Sequence, residues 1–255
     1  MLYLFALTVF IIGLLIGSFL NCSIWRLYKN ETILGRSYCP NCHHKISWYD
    51  NIPVLSYIIL KAKCRSCKKH ISWQYTLVEL TTAILFVLSF FHALSSSQFG
   101  LLLARDWLLI ITLTIIFVYD FRWQLIPMTL VWPMTLVFFI LNIFLGVAWY
   151  AVLISGAAAA LFFLAQYLIT RKRGLGEGDI WLGLLLGFSF PSLSQLFLIL
   201  VLSYSVGALV GIFLIKFKKE SGKSKIALGP FLAFGAIITL IWGEKIISWY
   251  LSLFY

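Results

Sequence analysis

The 255 residues are 62% hydrophobic and 11% charged, with 20 Lys+Arg against 9 Asp+Glu and a formal net charge of +11. This composition lies far outside the soluble globular range and excludes a large water-soluble domain; it fits an all-α polytopic membrane protein with about eight spans of roughly 20 residues each and a small extramembrane loop. An excess of cations can serve nucleic acid, but in so apolar a chain it marks the cytoplasmic side of a membrane, and no nucleic-acid partner is expected.

In chain order, apolar runs predict spans near 2–25, 75–95, 101–119, 128–148, 150–170, 180–192, 194–215 and 228–250. The first lacks a basic n-region and a small-residue cleavage site, so it reads as a retained helix and not a removable signal. The sixth, 180–192, is too short for a straight crossing of about 30 Å and must be tilted, thinned over or partly re-entrant. If all eight cross, alternate loops share one side: 26–74 holds nine Lys+Arg, 120–127 one, 171–178 three and 216–227 five. Arg105 and Lys245 alone lie opposite, which puts those four loops in the cytoplasm and both termini outside. No soluble linker, low-complexity tract or internal repeat is expected.

The largest loop carries Cys39-Pro-Asn-Cys42 and Cys64-Arg-Ser-Cys67, two C-x-x-C knuckles. Four thiolates brought together by two tight turns satisfy the tetrahedral preference of a structural zinc site. A pair of disulfides is the alternative, disfavoured by the reducing cytoplasm. His43, His44 and His70 are substitute ligands or ordinary exposed histidines. So short a loop has little apolar matter for a core, so the metal supplies much of its folding energy. Cys22, alone in the first span, reads as a packing residue.

The nine acidic residues sort by depth. Asp106 and Glu244 fall at the outer face, Glu31 and Asp50 in the cysteine loop, and Glu220 among lysines. Glu79 lies about one turn inside the second span, while Asp120, Glu177 and Asp179 mark the cytoplasmic ends of the third and sixth. An ionisable group at membrane depth is costly and is by default a functional candidate. Asp120 and Asp179 enter the membrane at one level; if their helices are neighbours the pair can share a proton, one carboxylate activating water while the protonated partner polarises a peptide carbonyl. Gly174, Gly176 and Gly178 before the second aspartate permit a tight turn and close approach of a substrate strand. The plainer alternative is that Asp120 faces headgroups and Asp179 caps the sixth helix.

Beyond these groups the chain resembles, almost end to end, the type IV prepilin peptidases, bifunctional leader peptidases and N-methyltransferases with the G-x-G-D membrane aspartic peptidase pattern. The resemblance is carried in order by GSFLNCSIWRL at 17–27, CPNCHHKISWYDNIPVLSYIILKAKCRSC at 39–67, ISWQYTLVEL at 71–80, Asp120 to Pro127, GEGD at 176–179 and LGPFLAFG at 228–235. It implies Asp120 and Asp179 as catalytic, Gly176 and Gly178 as the loop supporting the second aspartate, and structural zinc on Cys39, Cys42, Cys64 and Cys67. It divides the chain into a first transmembrane helix (1–25), a cytoplasmic zinc loop (26–74) and a membrane-embedded peptidase core (75–255). The implied substrates are prepilin-like or pseudopilin proteins of pilus, competence or secretion systems, cut between a short basic leader and an apolar helix at the cytoplasmic face of the bacterial membrane, with S-adenosylmethionine as methyl donor where the second activity is present. Glu177 is then a counter-charge to the leader or an ordinary exposed loop residue, and Glu79 a participant in methyl transfer or a buried polar bridge. The chain departs from the family pattern at Met128, where Asp is frequent, at Trp181, where Lys is usual, and at Ala62, where Gly is common in the region associated with methyl transfer. Two readings stand beside it: a transporter relaying protons through intramembrane carboxylates, and a non-enzymatic pilus or secretion assembly factor gripping partners through its metal module.

Overall fold

The computed structural model describes residues 1–33, 35–171, 175–218 and 227–253. Lys172, Arg173 and Gly174, and the stretch 219–226 with Glu220, lie outside the described residues. The described chain is helical: α1 (Leu2–Lys29), α2 (Leu55–Ile59), α3 (Gln74–Ala93), α4 (Phe99–Trp123), α5 (Met128–Phe144), α6 (Trp149–Ile169), α7 (Glu177–Ser189), α8 (Leu193–Lys218) and α9 (Gly229–Leu251). Six of these, α1, α3, α4, α6, α8 and α9, are long and apolar enough to cross a membrane. The remaining two apolar runs are shorter: α5 has 17 residues and α7 has 13. At 1.5 Å per residue α7 is about 20 Å long, well under the ~30 Å of hydrocarbon. Eight apolar helices thus stand where the hydropathy puts them, and six meet the length of a crossing.

The contacts divide the chain into two compact units, Met1–Ser95 and Ser96–Tyr255. In the first, α1 and α3 pack antiparallel through small residues. A Cβ on Gly13 would lie 2.5 Å from the Ala83 Cα, and one on Gly17 would lie 2.7 Å from the Glu79 Cα. The Gly13-x-x-x-Gly17 pair therefore lets the two backbones touch, which in lipid supplies the dispersion contacts that hydrophobic burial cannot. One turn further, Asn21 Nδ2 donates to the Tyr75 carbonyl at 3.0 Å. The helix stops at Asn30, whose left-handed backbone (φ 54°) suits Asn and returns its N–H to the α1 carbonyls.

The second unit uses the same device. A Cβ on Gly187 would sit 2.5 Å from both Gly156 Cα and the Ser155 carbonyl, and one on Gly183 would press on Phe163 and Ala159. This clamps α7 against α6 in antiparallel sense. On its other side α7 runs parallel to α5, with Trp132 against Trp181 and Phe139 against Phe188 at centroid separations of 5.1 and 5.3 Å. Helix α9 packs on both α4 and α8.

Short as it is, α7 does not leave its last carbonyls bare. Asn142 Nδ2 of α5 donates to the Phe188 carbonyl and Ser155 Oγ of α6 to the Phe190 carbonyl, both at 2.7 Å. Both side chains are fully buried. A helix can end at apolar depth when neighbours satisfy its carbonyls in this way. Asn142 also accepts from Arg105, whose Nη2 pairs with Asp106 at 2.9 Å. Asp106, assigned from sequence to the outer face, is in fact wholly enclosed.

Candidate active site and metal centre

The segment between α1 and α3 is organised around its four cysteines. Each knuckle is built alike: Cys39 N–H donates to His44 and His43 N–H back to Cys39, just as Cys64 N–H donates to Lys69 and Lys68 N–H back to Cys64, at 2.9 to 3.0 Å. Antiparallel bridges Tyr38 to Lys45 and Lys63 to His70 flank them, and His43 and Lys68 share a positive φ of 56° and 58°. The correspondence continues outward, because Ile46 N–H donates to Ser37 and Ile71 N–H to Ala62. Every equivalence has one offset, which aligns SYCPNCHHKISW at 37–48 with AKCRSCKKHISW at 62–73. An internal repeat is therefore present where the sequence reading expected none; two cysteines and a shared Ile-Ser-Trp were too few identities to reveal it before the backbone pattern did.

The repeat brings the four sulfurs within 4.8 Å of one another. Cys39 and Cys67 are 3.9 Å apart at sulfur, close to the ~3.8 Å edge of a tetrahedron with 2.3 Å Zn–S bonds and far from the ~2.05 Å of a disulfide. All four cysteines are free thiols, so the disulfide alternative falls and the donor set fits a metal ion of zinc type. The backbone N–H groups of Cys67 and Ser66 pointing at Cys64 sulfur pull its thiol down to about 7, while burial and the neighbouring Cys39 and Cys67 push the Cys42 thiol up to about 11. The three histidines are not part of the cluster; His43 stacks instead on Tyr38 at 5.7 Å.

Two braces hold this module to its helices. Arg26, counted from sequence as a cytoplasmic cation, is nearly buried and donates to the Thr32, Ile33 and Arg36 carbonyls at 3.3, 2.7 and 2.9 Å. Glu79, also buried, accepts the Val54 N–H at 2.8 Å on Oε2. Of its two sequence readings the structural one has a partner here: one carboxyl oxygen braces the loop backbone.

The two aspartates both lie in the second unit. Asp120 stands in the last turn of α4 and Asp179 in the first turn of α7; both are buried, and their charges are close enough to interact. Each has one oxygen pinned by a glycine N–H. Gly176 N–H donates to Asp179 Oδ2 at 3.0 Å, and Gly229 N–H to Asp120 Oδ2 at 2.8 Å. Oδ1 of each accepts no bond among the described residues, so each carboxyl keeps one oxygen unengaged there. Asp179 occupies the third position of α7, not the cap itself, which is Gly176. Bracing the helix start thus takes one of the two Asp179 oxygens.

Gly178 is used by the fold: a Cβ there would meet Ile126 and Met128 at 3.0 to 3.1 Å, where the link after α4 crosses the start of α7. Met128 and Trp181, the departures from the family pattern, are accordingly packing residues, against Gly178 and Trp132. Glu177 is exposed but held, accepting from the Tyr167 hydroxyl at 2.6 Å. Nearby Tyr204 of α8 donates to Gln166 at 2.8 Å and feels the charge of Asp179. Gly229, Tyr167 and Tyr204 were not singled out by sequence reasoning. A backbone N–H leaves no mark in a sequence, and the two tyrosines sit in helices other than those that carry the aspartates.

Comparison with known proteins agrees with this arrangement. The family model of the bacterial peptidase A24 N-terminal domain matches residues 11–93, and that of the type IV leader peptidase family matches residues 107–212. Proteins named prepilin leader peptidase/N-methyltransferase match over nearly the whole chain: that of Stutzerimonas stutzeri is 33% identical, covering 97% of this chain and 94% of its own. Its namesake in Aeromonas salmonicida is 34% identical over 98% and 95%.

This chain belongs to the type IV leader peptidase family.

As a leader peptidase relative it carries both modules of the family, the cysteine-bearing one in Met1–Ser95 and the aspartate-bearing one in Ser96–Tyr255. A namesake in Legionella pneumophila is 29% identical over 96% of this chain. No solved structure matches the chain.

Proposed function

We propose that the protein is a membrane aspartic endopeptidase that removes the short basic leader of prepilin-like or pseudopilin substrates at the cytoplasmic face of the bacterial membrane. The observation that carries this reading is the pair of buried carboxyls at the ends of α4 and α7, Asp120 and Asp179, each held by one glycine N–H with Oδ1 left over. Two buried carboxyls that approach one another across a substrate favour sharing one proton. The ionised member takes a proton from water as it attacks the scissile carbonyl; the protonated member polarises that carbonyl and later protonates the leaving amine. The cationic loops support a cytoplasmic position for this end of the helices, where a basic leader begins and water is available.

The four cysteines hold zinc as a structural ion that folds the loop between α1 and α3. N-methylation of the new N-terminus, the second activity in the relatives' names, would draw its methyl group from S-adenosylmethionine. Glu79, the residue the sequence offered for it, braces Val54 with one carboxyl oxygen.

The test is incubation of a full-length prepilin with the purified, detergent-solubilised protein, with and without S-adenosylmethionine, followed by mass spectrometry of the new N-terminus. Cleavage is expected to be lost in both Asp120→Asn and Asp179→Asn. Asn caps a helix about as well as Asp, so survival of cleavage in either variant returns the protein to the transporter or assembly-factor reading.

A further inference from the structure

The two aspartates are held in different ways. Asp179 carries its reference with it: the N–H it accepts belongs to Gly176, three residues earlier at the start of the same helix. Asp120 has no local donor of this kind. Its Oδ2 accepts from Gly229, separated from it by 109 positions, at the first residue of α9.

The first turn of α9 is arranged to deliver that one group. The N–H groups of Phe231 and Leu232 return to the Leu228 carbonyl at 3.0 and 3.1 Å, and Pro230 has none. Of the donors a helix start leaves unsatisfied, Gly229 supplies the one that reaches a side chain. It also yields the space, because a Cβ on Gly229 would lie 2.5 Å from Asp120 Oδ2 and 3.1 Å from its Cγ. Any other residue would push on the carboxyl it is meant to hold.

We infer that Gly229 is the positioning residue of Asp120: its N–H and its missing side chain together orient the carboxyl and leave Oδ1 for the reaction. The inference rests on the peptidase reading above. It makes the start of α9 a third component of the active site beside the ends of α4 and α7. It also makes Asp120 dependent on the docking of α9, whereas Asp179 is set by its own turn.

The experiment measures prepilin cleavage against pH by the full-length protein in lipid nanodiscs. Gly229→Ala is expected to lower kcat roughly a hundredfold, the cost of a carboxyl moved by about an ångström, and to displace the acid limb of the pH profile. A mere loss of folded protein scales the profile without moving it. Gly235→Ala is the control, since its Cβ would meet Ser203 Oγ and the Ile199 carbonyl at 2.5 and 2.8 Å, an equal intrusion in the same helix away from Asp120; its acid limb stays in place. A second variant, an ester at the 228–229 linkage, deletes the N–H without adding a Cβ and is expected to displace the limb as well. An undisplaced limb in the ester variant, or the same displacement in Gly235→Ala, overturns the positioning role while leaving the peptidase intact. Wild-type cleavage by Asp120→Asn instead overturns the peptidase reading, and this inference with it.

Discussion

The backbone N–H of Val54 donates to Glu79 Oε2 at 2.8 Å, so a carboxyl of α3 holds the turn that leads into α2. Val54 needs holding, since it is β-branched and sits at φ 61°, ψ −50°, a backbone state that costs on the order of 1–3 kcal/mol unless its surroundings enforce it. Glu79→Ala is expected to destabilise this turn by about 1–3 kcal/mol through the lost buried acceptor. Glu79→Gln, which keeps an acceptor, should be milder. Hydrogen exchange at the Val54 amide reads the difference: fast exchange in the Ala variant and slow in wild type is the expected order.

Metal removal is expected to unfold the repeat around Cys39, Cys42, Cys64 and Cys67, because few of its residues are buried and the ion supplies the missing cohesion. A chelator should render the stretch between α1 and α3 sensitive to protease while the helices resist. Zinc should restore protection, and Cys67→Ser should abolish that restoration.

Ala62 carries φ 57° directly after Lys61 at φ 50°, two left-handed residues in succession. Glycine adopts this conformation without its steric cost, so Ala62→Gly is expected to stabilise the module by up to about 1 kcal/mol. Chelator titration of the two proteins measures it, the glycine variant giving up its metal later. An earlier release would contradict the strain argument.

The α6–α7 contact tolerates no side chain at Gly187, because what a Cβ would strike is backbone: Gly156 Cα and the Ser155 carbonyl. Gly187→Ala should part the helices, cost about 1–3 kcal/mol, and reduce cleavage, since α7 carries Asp179. Gly178→Ala meets only the side chains of Ile126 and Met128 and should lower the melting temperature less.

Arg65 grips Asp50 with two nitrogens at 2.8 and 2.6 Å, joining the turn after the first knuckle to the second. The guanidinium holds the Asp50 carboxyl below the usual carboxylate range. A lowered folded value means that the pair contributes in full above the unfolded value of about 3.9 and loses its contribution as pH falls through the folded one. The pair is solvent-screened, so the effect is small. The difference in protease resistance between wild type and Asp50→Asn should be present at pH 7, shrink in 1 M salt and fade as the pH falls below the unfolded carboxylate value and through the folded one.

Much of this protein was legible as sequence because the bilayer restricts what a chain can do. Apolar runs must become helices, and cations must stay outside the hydrocarbon, so the helices and the places of Asp120 and Asp179 at helix ends followed from composition along the chain. The two C-x-x-C pairs announced four sulfurs at one point because ligand chemistry admits few other uses for them. What the sequence left open were relations that side-chain identity does not encode. The offset repeat of the knuckles lies in backbone hydrogen bonds shared by sequences with few identities. The burial of Arg26 and Asp106, both read as boundary charges, depends on carbonyls and partners supplied by folding. Whether α7 could end so early was decided by Asn142 and Ser155 reaching its last carbonyls from two other helices. The grip on Asp120 comes from a peptide N–H that every residue but proline possesses. Only the packing of α9 against α4 selects Gly229 to provide it, because a hydrogen bond to the backbone is specified by position in space and by the absence of a side chain there.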